Sequence, residues 1–414
     1  MRGASSAGGS RPALSSLVPT STPPGFAPIP EILDELRAGR MVVLTDDEDR
    51  ENEGDLVLPA QSADAASIAF MLKEARGYLC LSLTEADCDR LDLTPQSQVN
   101  TSVRGTPFTV AIDGHPRHGF TTGVSADERA RTIRLAIDPH STPGDFVRPG
   151  HINPLRARDG GVLVRIGQTE GSVDLCRLAG LTPAAVIIEI LRDDGAMARV
   201  PDLLEFNTRH NLKMCSVKQL IEHRLSTETF VERLEPVRGT PIQTPLGGFS
   251  LIGFRSITDP LPHLALTLGG VGELDTQGNV IEQAEPTLVR VHRRDLLGDI
   301  FAAVQDGRNT RALLDSSIRQ IQDAGRGAIV YLRPSGGLDQ PGDAGLSTRL
   351  TRPFDSNDDD SPRQSQAAGA LEYGTGSQIV RALGIRDMRL LTNSDAEYPQ
   401  LEAFGLRITE RVGL

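Results

Sequence analysis

An apolar run that passes directly into a dense cluster of carboxylates is the feature that most constrains how this chain can fold. Residues 41–44 (Met-Val-Val-Leu) have the composition of a buried strand, and residues 46–55 then place seven acidic side chains around one arginine. Because like charges at this density repel, we expect the strand to end at the edge of a sheet, where a hard cation such as Mg²⁺ could offset the repulsion. A solvated acidic turn is the alternative, and composition alone favours it.

Length and composition restrict the class of protein. A chain of 414 residues is long enough for two domains, and its net charge of −12 predicts no general affinity for nucleic acid or an anionic membrane. An anionic substrate would therefore be held by a few placed arginines. The four cysteines show no paired spacing, which predicts free thiols in a reducing compartment. Without an apolar stretch near the roughly 20 residues of a membrane span, or a signal-peptide core, the chain is predicted to be cytoplasmic.

Changes in composition divide the chain. Residues 1–27 are rich in Ser, Gly and Pro and are predicted to form a disordered tail. Helix and strand signals alternate through residues 28–225, a polar linker follows at 226–239, and strand signals resume in a second domain at 240–414. We expect an α/β (α+β) fold in each domain. The acidic stretch within residues 334–366 predicts a mobile insertion.

Several polar residues stand at positions that could carry chemistry. Arg165 and Thr169 flank a glycine-bearing turn and could hold a phosphate, and residues 121–125 add hydroxyl donors in a second turn. Glu189 ends an apolar strand, where burial could raise its pKa. Each residue also has an ordinary structural explanation: Glu189 could face water, and His151 could be a hydrogen-bonded structural histidine.

Taken together, these segments resemble one enzyme family. The acidic segment, Gly77-Tyr78-Leu79-Cys80, residues 100–102 and residues 194–199 occur in the order found in 3,4-dihydroxy-2-butanone 4-phosphate synthase. The resemblance covers about residues 28–225. It implies ribulose 5-phosphate as the substrate, Mg²⁺ or Mn²⁺ as the metal, formate as one product, and a homodimer with its sites near the subunit interface.

The resemblance also implies roles for individual residues. Metal binding falls on Glu51 and on position 168, and proton transfer on His151 and Glu189. The residues expected to contact the substrate are Arg50, Glu51, Asp55, Arg165 and Thr169. Cys80 matches a cysteine that lines the family's site, although a buried inert thiol is the alternative.

Two positions depart from the family pattern. Where the family has Gly-His-Thr-Glu, this chain has Gly167-Gln168-Thr169-Glu170. The glutamine carbonyl can bind Mg²⁺ through oxygen, but glutamine cannot replace histidine as an acid or base. Glu128 stands where the family has aspartate. The sequence therefore leaves open both an active synthase and a non-catalytic regulatory or assembly subunit of flavin synthesis.

The second domain resembles GTP cyclohydrolase II in residues 288–292, 325–333 and 390–393. That family binds zinc through three cysteines, but this domain contains none, and the matching positions fall on or near Asp295, Asp306 and Arg308. Its catalytic segments also differ at residues 334–337 and 369–371. We therefore expect no zinc and a catalytically silent domain. A bifunctional enzyme with residual cyclohydrolase activity is the other alternative.

Overall fold

The structure, a computed structural model, describes most of the chain. The described residues are 23–46, 51–102, 105–257, 259–305, 308–333, 366–394 and 401–414. Most of the predicted tail, Arg50 of the acidic segment and residues 334–365 of the predicted insertion lie outside them. The end of the predicted tail is tied to the first domain, because the N–H of Ala27 donates to the carbonyl of Met214 at 2.7 Å.

The first domain is built on a seven-stranded mixed sheet in the order β4-β5-β3-β6-β2-β1-β7. Its strands are β1 (Val42–Thr45), β2 (Gly54–Pro59), β3 (Cys80–Leu83), β4 (Ile112–Gly114), β5 (Phe146–Arg156), β6 (Ala185–Glu189) and β7 (Lys213–Ser216). The β1–β7 and β3–β5 pairs are parallel and the remaining pairs are antiparallel. Every residue of β1 and β2 is buried, so both faces of the sheet are covered.

Helices cover the two faces of this sheet. They are α1 (Ile29–Arg37), α2 (Ala65–Phe70), α3 (Glu85–Arg90), α4 (Ala126–Ile137), α5 (Gln168–Leu178), α6 (Val200–His210) and α7 (Val217–Thr227). Because strand side chains alternate, Leu44 joins the cluster formed with α1, α5 and α7, and Val43 joins the cluster formed with α2, α3, α4 and α6. All four cysteines are buried free thiols, as their spacing predicts.

The second domain contains an eight-stranded mixed sheet, in which β17-β16-β12-β15 are parallel and β11, β10, β8 and β9 extend it in antiparallel pairs. Its strands are β8 (Val231–Arg233), β9 (Thr240–Thr244), β10 (Gly247–Ser256), β11 (Asp259–Leu268), β12 (Thr287–Arg293), β15 (Gly327–Leu332), β16 (Asp387–Leu391) and β17 (Arg407–Val412). A small ribbon, β13 (Val304–Gln305) with β14 (Arg308–Asn309), lies apart. The helices are α8 (Leu296–Phe301), α9 (Thr310–Ala324) and α10 (Gln366–Ala382). The α/β (α+β) prediction is confirmed.

The junction between the domains differs from the predicted linker. Residues 226–239 include β8, which pairs Val231 with Ser256 and Arg233 with Phe254 of β10. A three-residue strand among polar neighbours is too short to show a period of two, so the sequence pattern does not reveal it. One apolar cluster runs from α1 through α7 into the second sheet. Within the described ranges, no helix is both long and apolar enough to cross a membrane.

Candidate active site

The acidic segment folds back on the end of β1. The buried Asp46 accepts the N–H groups of Glu51 and Glu53 at 3.0 and 2.8 Å through its two carboxylate oxygens. Arg199 donates to the carbonyl oxygens of Glu51, at 2.7 Å, and Asn52. These bonds fix residues 51–53 against the sheet, so the solvated-turn alternative does not describe this part of the segment.

Asp55 and Glu189 are paired neighbours on β2 and β6. Asp55 is only 5% exposed, and its pKa is raised well above the usual range, first by burial and then by the charges of Glu189 and Asp46. The pKa of Glu53 is also raised, by burial and then by the charge of Glu51. The end of the sheet therefore holds a group of carboxylates, of which Asp55 and Glu53 have raised pKa values.

The segment before β3 closes over Glu189. The N–H of Tyr78 donates to Glu189 Oε2 at 2.7 Å, and a Cβ on Gly77 would overlap the backbone and carboxylate of Glu189, which explains the glycine. Cys80 lies beside Ile187 on β6, and burial raises the pKa of its thiol. A thiol held protonated in this way is a poor nucleophile, which supports the inert alternative for Cys80.

His151 lies on β5, two residues before Asn153, the partner of Cys80 across β3 and β5, in a stretch where the pairing of β5 with β4 shifts register. Asp113 holds it from β4: one carboxylate oxygen accepts the backbone N–H of His151 at 2.9 Å, and the other contacts ring Nδ1 at 2.7 Å. The side chain is 46% exposed and can meet a ligand. Such a contact fixes the ring orientation and favours a proton on Nδ1, which leaves Nε2 as the acceptor.

A glycine-bearing turn covers Asp113. Gly123 has a φ of +77° and no room for a Cβ beside the Asp113 carboxylate. Glu128, at the start of α4, accepts the N–H of Gly123 at 3.0 Å and both the N–H and the hydroxyl of Thr121. These bonds lower the pKa of Glu128, the N–H of Thr121 contributing most. The glutamate that replaces the expected aspartate therefore anchors the turn over the His151 contact.

The N-terminus of α5 carries two further predicted site residues, Gln168 and Thr169. Gly171 packs on Leu44, since a Cβ there would lie 2.7 Å from Leu44 Cδ2, and Leu44 is paired with Asp55. The first turn of α5, with the buried Gln168 and Thr169, therefore packs on the face of the sheet that carries Leu44 and Asp55.

Arg165 lies just before this helix. Its Nη1 donates to Glu170 Oε2 at 2.7 Å, and Glu170 is fully buried. Burial raises the pKa of Glu170 despite the opposing charge of Arg165. Arg165 is therefore held by a carboxylate while its side chain keeps 16% exposure.

The donor set suits a hard cation. In the described part of the chain, no three His, Cys, Asp or Glu side chains converge on one metal position. Mg²⁺ is commonly held by one or two carboxylates with water completing its octahedron, and the carboxylates around Asp55 are ligands of this kind. Glu51 and the Gln168 side-chain oxygen are the predicted ligands that fit this chemistry.

The structure places Glu51, Asp55 and Glu189 near one another at the end of β2 and β6, and Gln168 and Thr169 in the first turn of α5, which packs on β1. His151 lies on β5, which β3 separates from β6, Arg165 precedes α5, and Arg50 lies outside the described residues. Sequence reasoning missed Asp113 and Arg199. Asp113 is a lone acid after an apolar stretch, and Arg199 ends a segment that the resemblance includes, so only the second carried a signal.

Comparisons with known proteins identify the family of each domain. Residues 30–223 match the family model of 3,4-dihydroxy-2-butanone 4-phosphate synthase, and residues 235–413 match that of GTP cyclohydrolase II. The riboflavin biosynthesis protein RibBA of Aquifex aeolicus is 44% identical over 392 residues, covering 94% of this chain and 92% of that protein. The RibBA of Salinispora tropica is 42% identical over 395 residues, with 94% and 93% covered. This chain belongs to the RibBA family.

The RibBA family membership confirms the resemblance and identifies the chain as an enzyme of riboflavin biosynthesis, a 3,4-dihydroxy-2-butanone 4-phosphate synthase. A crystal structure described as RibBX, a two-domain 3,4-dihydroxy-2-butanone 4-phosphate synthase from A. baumannii, is also similar. It is 35% identical, with a TM-score of 0.74, and the match covers 93% of this chain and 99% of that one.

In this RibBA family member, the three positions that match the zinc-binding cysteines of GTP cyclohydrolase II are not cysteines. Asp295 caps α8 by accepting the N–H of Gly298 at 3.2 Å, Arg308 begins β14, and Asp306 lies outside the described residues. No cysteine follows Cys215 in the sequence.

A buried polar cluster stands near Asp295. His292 Nε2 contacts Asp299 at 3.0 Å, and the Tyr331 hydroxyl donates to the other oxygen of Asp299 at 2.8 Å. Burial tends to raise the pKa of Asp299, but these contacts and the Asp295 N–H together lower it to about 2. The carboxylate of Asp299 is thus already engaged within the domain.

Proposed function

We propose that this chain converts ribulose 5-phosphate to 3,4-dihydroxy-2-butanone 4-phosphate and formate, and that its second domain has no cyclohydrolase activity. The observation that carries the first part is the pair Asp55 and Glu189 on β2 and β6, in a sheet that also carries His151 on β5. Three groups able to bind or release a proton can there act on adjacent carbons of one small sugar.

The first step requires removal of a proton from a carbon next to a carbonyl. His151, with Asp113 at Nδ1, would present Nε2 as the base, and Asp113 would stabilise the imidazolium that forms. Glu189, which accepts the N–H of Tyr78, would serve the proton transfers that follow. The raised pKa of Asp55 suits a carboxyl that donates a hydrogen bond to a substrate oxygen.

Glu51 and Gln168 would hold the divalent metal, Mg²⁺ or Mn²⁺. When bound, the ion supplies Lewis-acid polarisation of the sugar oxygens and offsets the carboxylate charge. Arg50, Arg165 and Thr169 would bind the substrate, the arginines through its anionic phosphate. Gln168 provides an oxygen ligand only, so every proton transfer in the proposed reaction is assigned to another residue.

A second candidate is a bifunctional enzyme, because residues 235–413 match the cyclohydrolase model and the RibBA relatives share both domains. Against it stand the missing thiolates, which are the soft ligands that hold zinc in an open tetrahedral site. The name of the similar RibBX structure states the synthase activity only. We therefore favour a second domain that contributes structure, and we further propose a cytoplasmic homodimer with no zinc.

Formate release from ribulose 5-phosphate by the purified chain, with Mg²⁺ and then Mn²⁺, tests this proposal directly. We expect turnover in the parent protein and its loss in Glu51→Ala. Silence in the parent with activity in Gln168→His would instead indicate an enzyme disabled at one position, and silence in both would favour the regulatory subunit. GTP turnover by the full chain with added Zn²⁺ would establish the bifunctional candidate.

A further inference from the structure

One side chain of the second domain forms hydrogen bonds at the C-terminus of α7, the last helix of the first domain. Gln378, on α10, donates from Nε2 to the carbonyl oxygens of Leu225 and Glu228 at 3.1 and 2.6 Å, and its Oε1 accepts the N–H of Phe230 at 3.0 Å. The last carbonyls of a helix have no partner within the helix. Close packing accompanies these bonds, since a Cβ on Gly374 would lie 2.6 Å from Leu225.

Arg224 lies one turn before the end of α7 and is only 4% exposed. Its Nη1 donates to Asp174 Oδ2 and to the carbonyl of Gly160, both at 2.7 Å. Its Nε and Nη2 donate to the Glu228 carboxylate at 3.0 and 2.8 Å. Glu228 therefore belongs to both groups: its carbonyl binds Gln378 and its carboxylate binds Arg224. A buried cation requires such partners, so its position is closely determined.

Asp174, on α5, connects Arg224 to the turn that precedes the candidate site. It accepts the N–H of Val162 at 2.8 Å, and Gly161, with a φ of +64°, has no room for a Cβ beside the carboxylate. The second domain approaches the same turn directly, because a Cβ on Gly160 would lie 3.8 Å from Ile257 Cδ1. Residues 160–164 lead without interruption to Arg165 and the start of α5.

We propose that Arg224 and Asp174 are positioning residues for the substrate-binding turn, and that the second domain holds them in place through Gln378. The inference rests on the proposed function in one respect, the binding of the sugar phosphate by Arg165 and Thr169. It gives the second domain a definite task in the synthase reaction that requires no zinc and no nucleotide.

Gln378→Met in the full chain tests the inference, because methionine keeps the length of the side chain and removes three hydrogen bonds. We expect the KM for ribulose 5-phosphate to rise at least about fivefold with a smaller change in kcat, since a displaced binding turn weakens ground-state binding. We also expect amide hydrogen exchange in residues 160–165 to become about tenfold faster. Gln378→Glu, which keeps only the acceptor for Phe230, should show the same direction of change and serves if the first variant does not fold.

Gln322→Met is the matched control, because the Gln322 amide donates to the Gly248 carbonyl at 2.9 Å wholly within the second domain. It should leave both the KM and the exchange of residues 160–165 unchanged. Hydrogen exchange needs no turnover, so it decides the coupling even if the parent releases no formate and the proposed function fails. Unchanged exchange in Gln378→Met would overturn the coupling. Faster exchange with an unchanged KM in an active enzyme would overturn the positioning role.

Discussion

At the scale of the residue, Asp55 and Asp64 show opposite effects of folding on an aspartate. Burial and the charge of Glu189 raise the pKa of Asp55, whereas the Ser67 N–H, which Asp64 accepts as the cap of α2, lowers the pKa of Asp64. A raised pKa means that the folded protein keeps a proton that the unfolded chain releases above pH of about 3.9. The stabilising contribution of Asp55 is therefore complete below that pH and is lost as the pH rises through its folded pKa.

Asp55→Asn should accordingly raise the melting temperature at pH 8 in metal-free buffer, while abolishing formate release. A gain of a few degrees is expected, because about 1 kcal/mol shifts the Tm of a domain of this size by roughly 2–4 °C. The gain should shrink as the pH falls towards 4. Asp64→Asn is the control of opposite sign: it should lower Tm at pH 8 and lose its effect in acid. Calorimetry across this pH range measures both, and a lower Tm for Asp55→Asn at pH 8 would contradict the assignment.

Asp113→Asn should lower kcat about a hundredfold or more, because the amide cannot stabilise a charged His151 ring as the carboxylate does. Asp145→Asn is the matched control, since Asp145 contacts His118 Nε2 at 2.7 Å on an exposed surface of the same domain. Steady-state formate release compares the two. Equal losses would mean that the Asp113 effect is not specific to the site.

The site residues that the sequence predicted lie in short, recognisable segments of the chain, whereas those that it missed have partners far away in the sequence. The acidic segment is visible because seven carboxylates fall within ten consecutive residues. Asp113 is a single acid whose partner, His151, lies 38 residues away, so no window of sequence contains the pair. Arg224 and Asp174 are likewise ordinary helical residues until the fold joins α5 to α7.

At the scale of the element, the position of α5 depends on Gly171, which has no side chain. Gly171→Ala should raise the KM and lower kcat together, because its Cβ would meet Leu44 and displace the turn that carries Gln168 and Thr169. The double variant Gly171→Ala with Leu44→Val should recover part of the activity by providing space. Kinetics of the parent, single and double variants check this, and an alanine variant as active as the parent would show that the contact relaxes without cost.

Element prediction succeeded where periodicity was strong. Residues 41–44 form β1 almost as expected, and the alternation of helices and strands led to the correct fold class. The sequence did not predict β8 within residues 226–239, because its three residues gain their order from pairing with β10 and not from their own composition. The mixed direction of the strands was not predictable, since pairing is decided by contacts between distant segments.

At the scale of the whole molecule, the two domains share one apolar cluster, but the second domain lacks the zinc-binding cysteines of its family. The full chain should contain less than about one-tenth of an equivalent of zinc after dialysis against Zn²⁺ and then buffer, because the second domain lacks the three thiolates that hold the ion. The triple variant Asp295→Cys, Asp306→Cys, Arg308→Cys should retain close to one equivalent. Metal analysis distinguishes them, and stoichiometric zinc in the parent would revive the bifunctional candidate.

The four buried thiols give the protein an internal reporter. Burial raises the pKa of Cys88, Cys176 and Cys215 to about 12, so none is a ready target for an alkylating reagent while the first domain is folded. Because no cysteine follows position 215, the rate at which such a reagent labels the chain records the opening of the first domain alone. The labelling rate, measured with and without a sugar phosphate, would report ligand binding even in a variant that no longer releases formate.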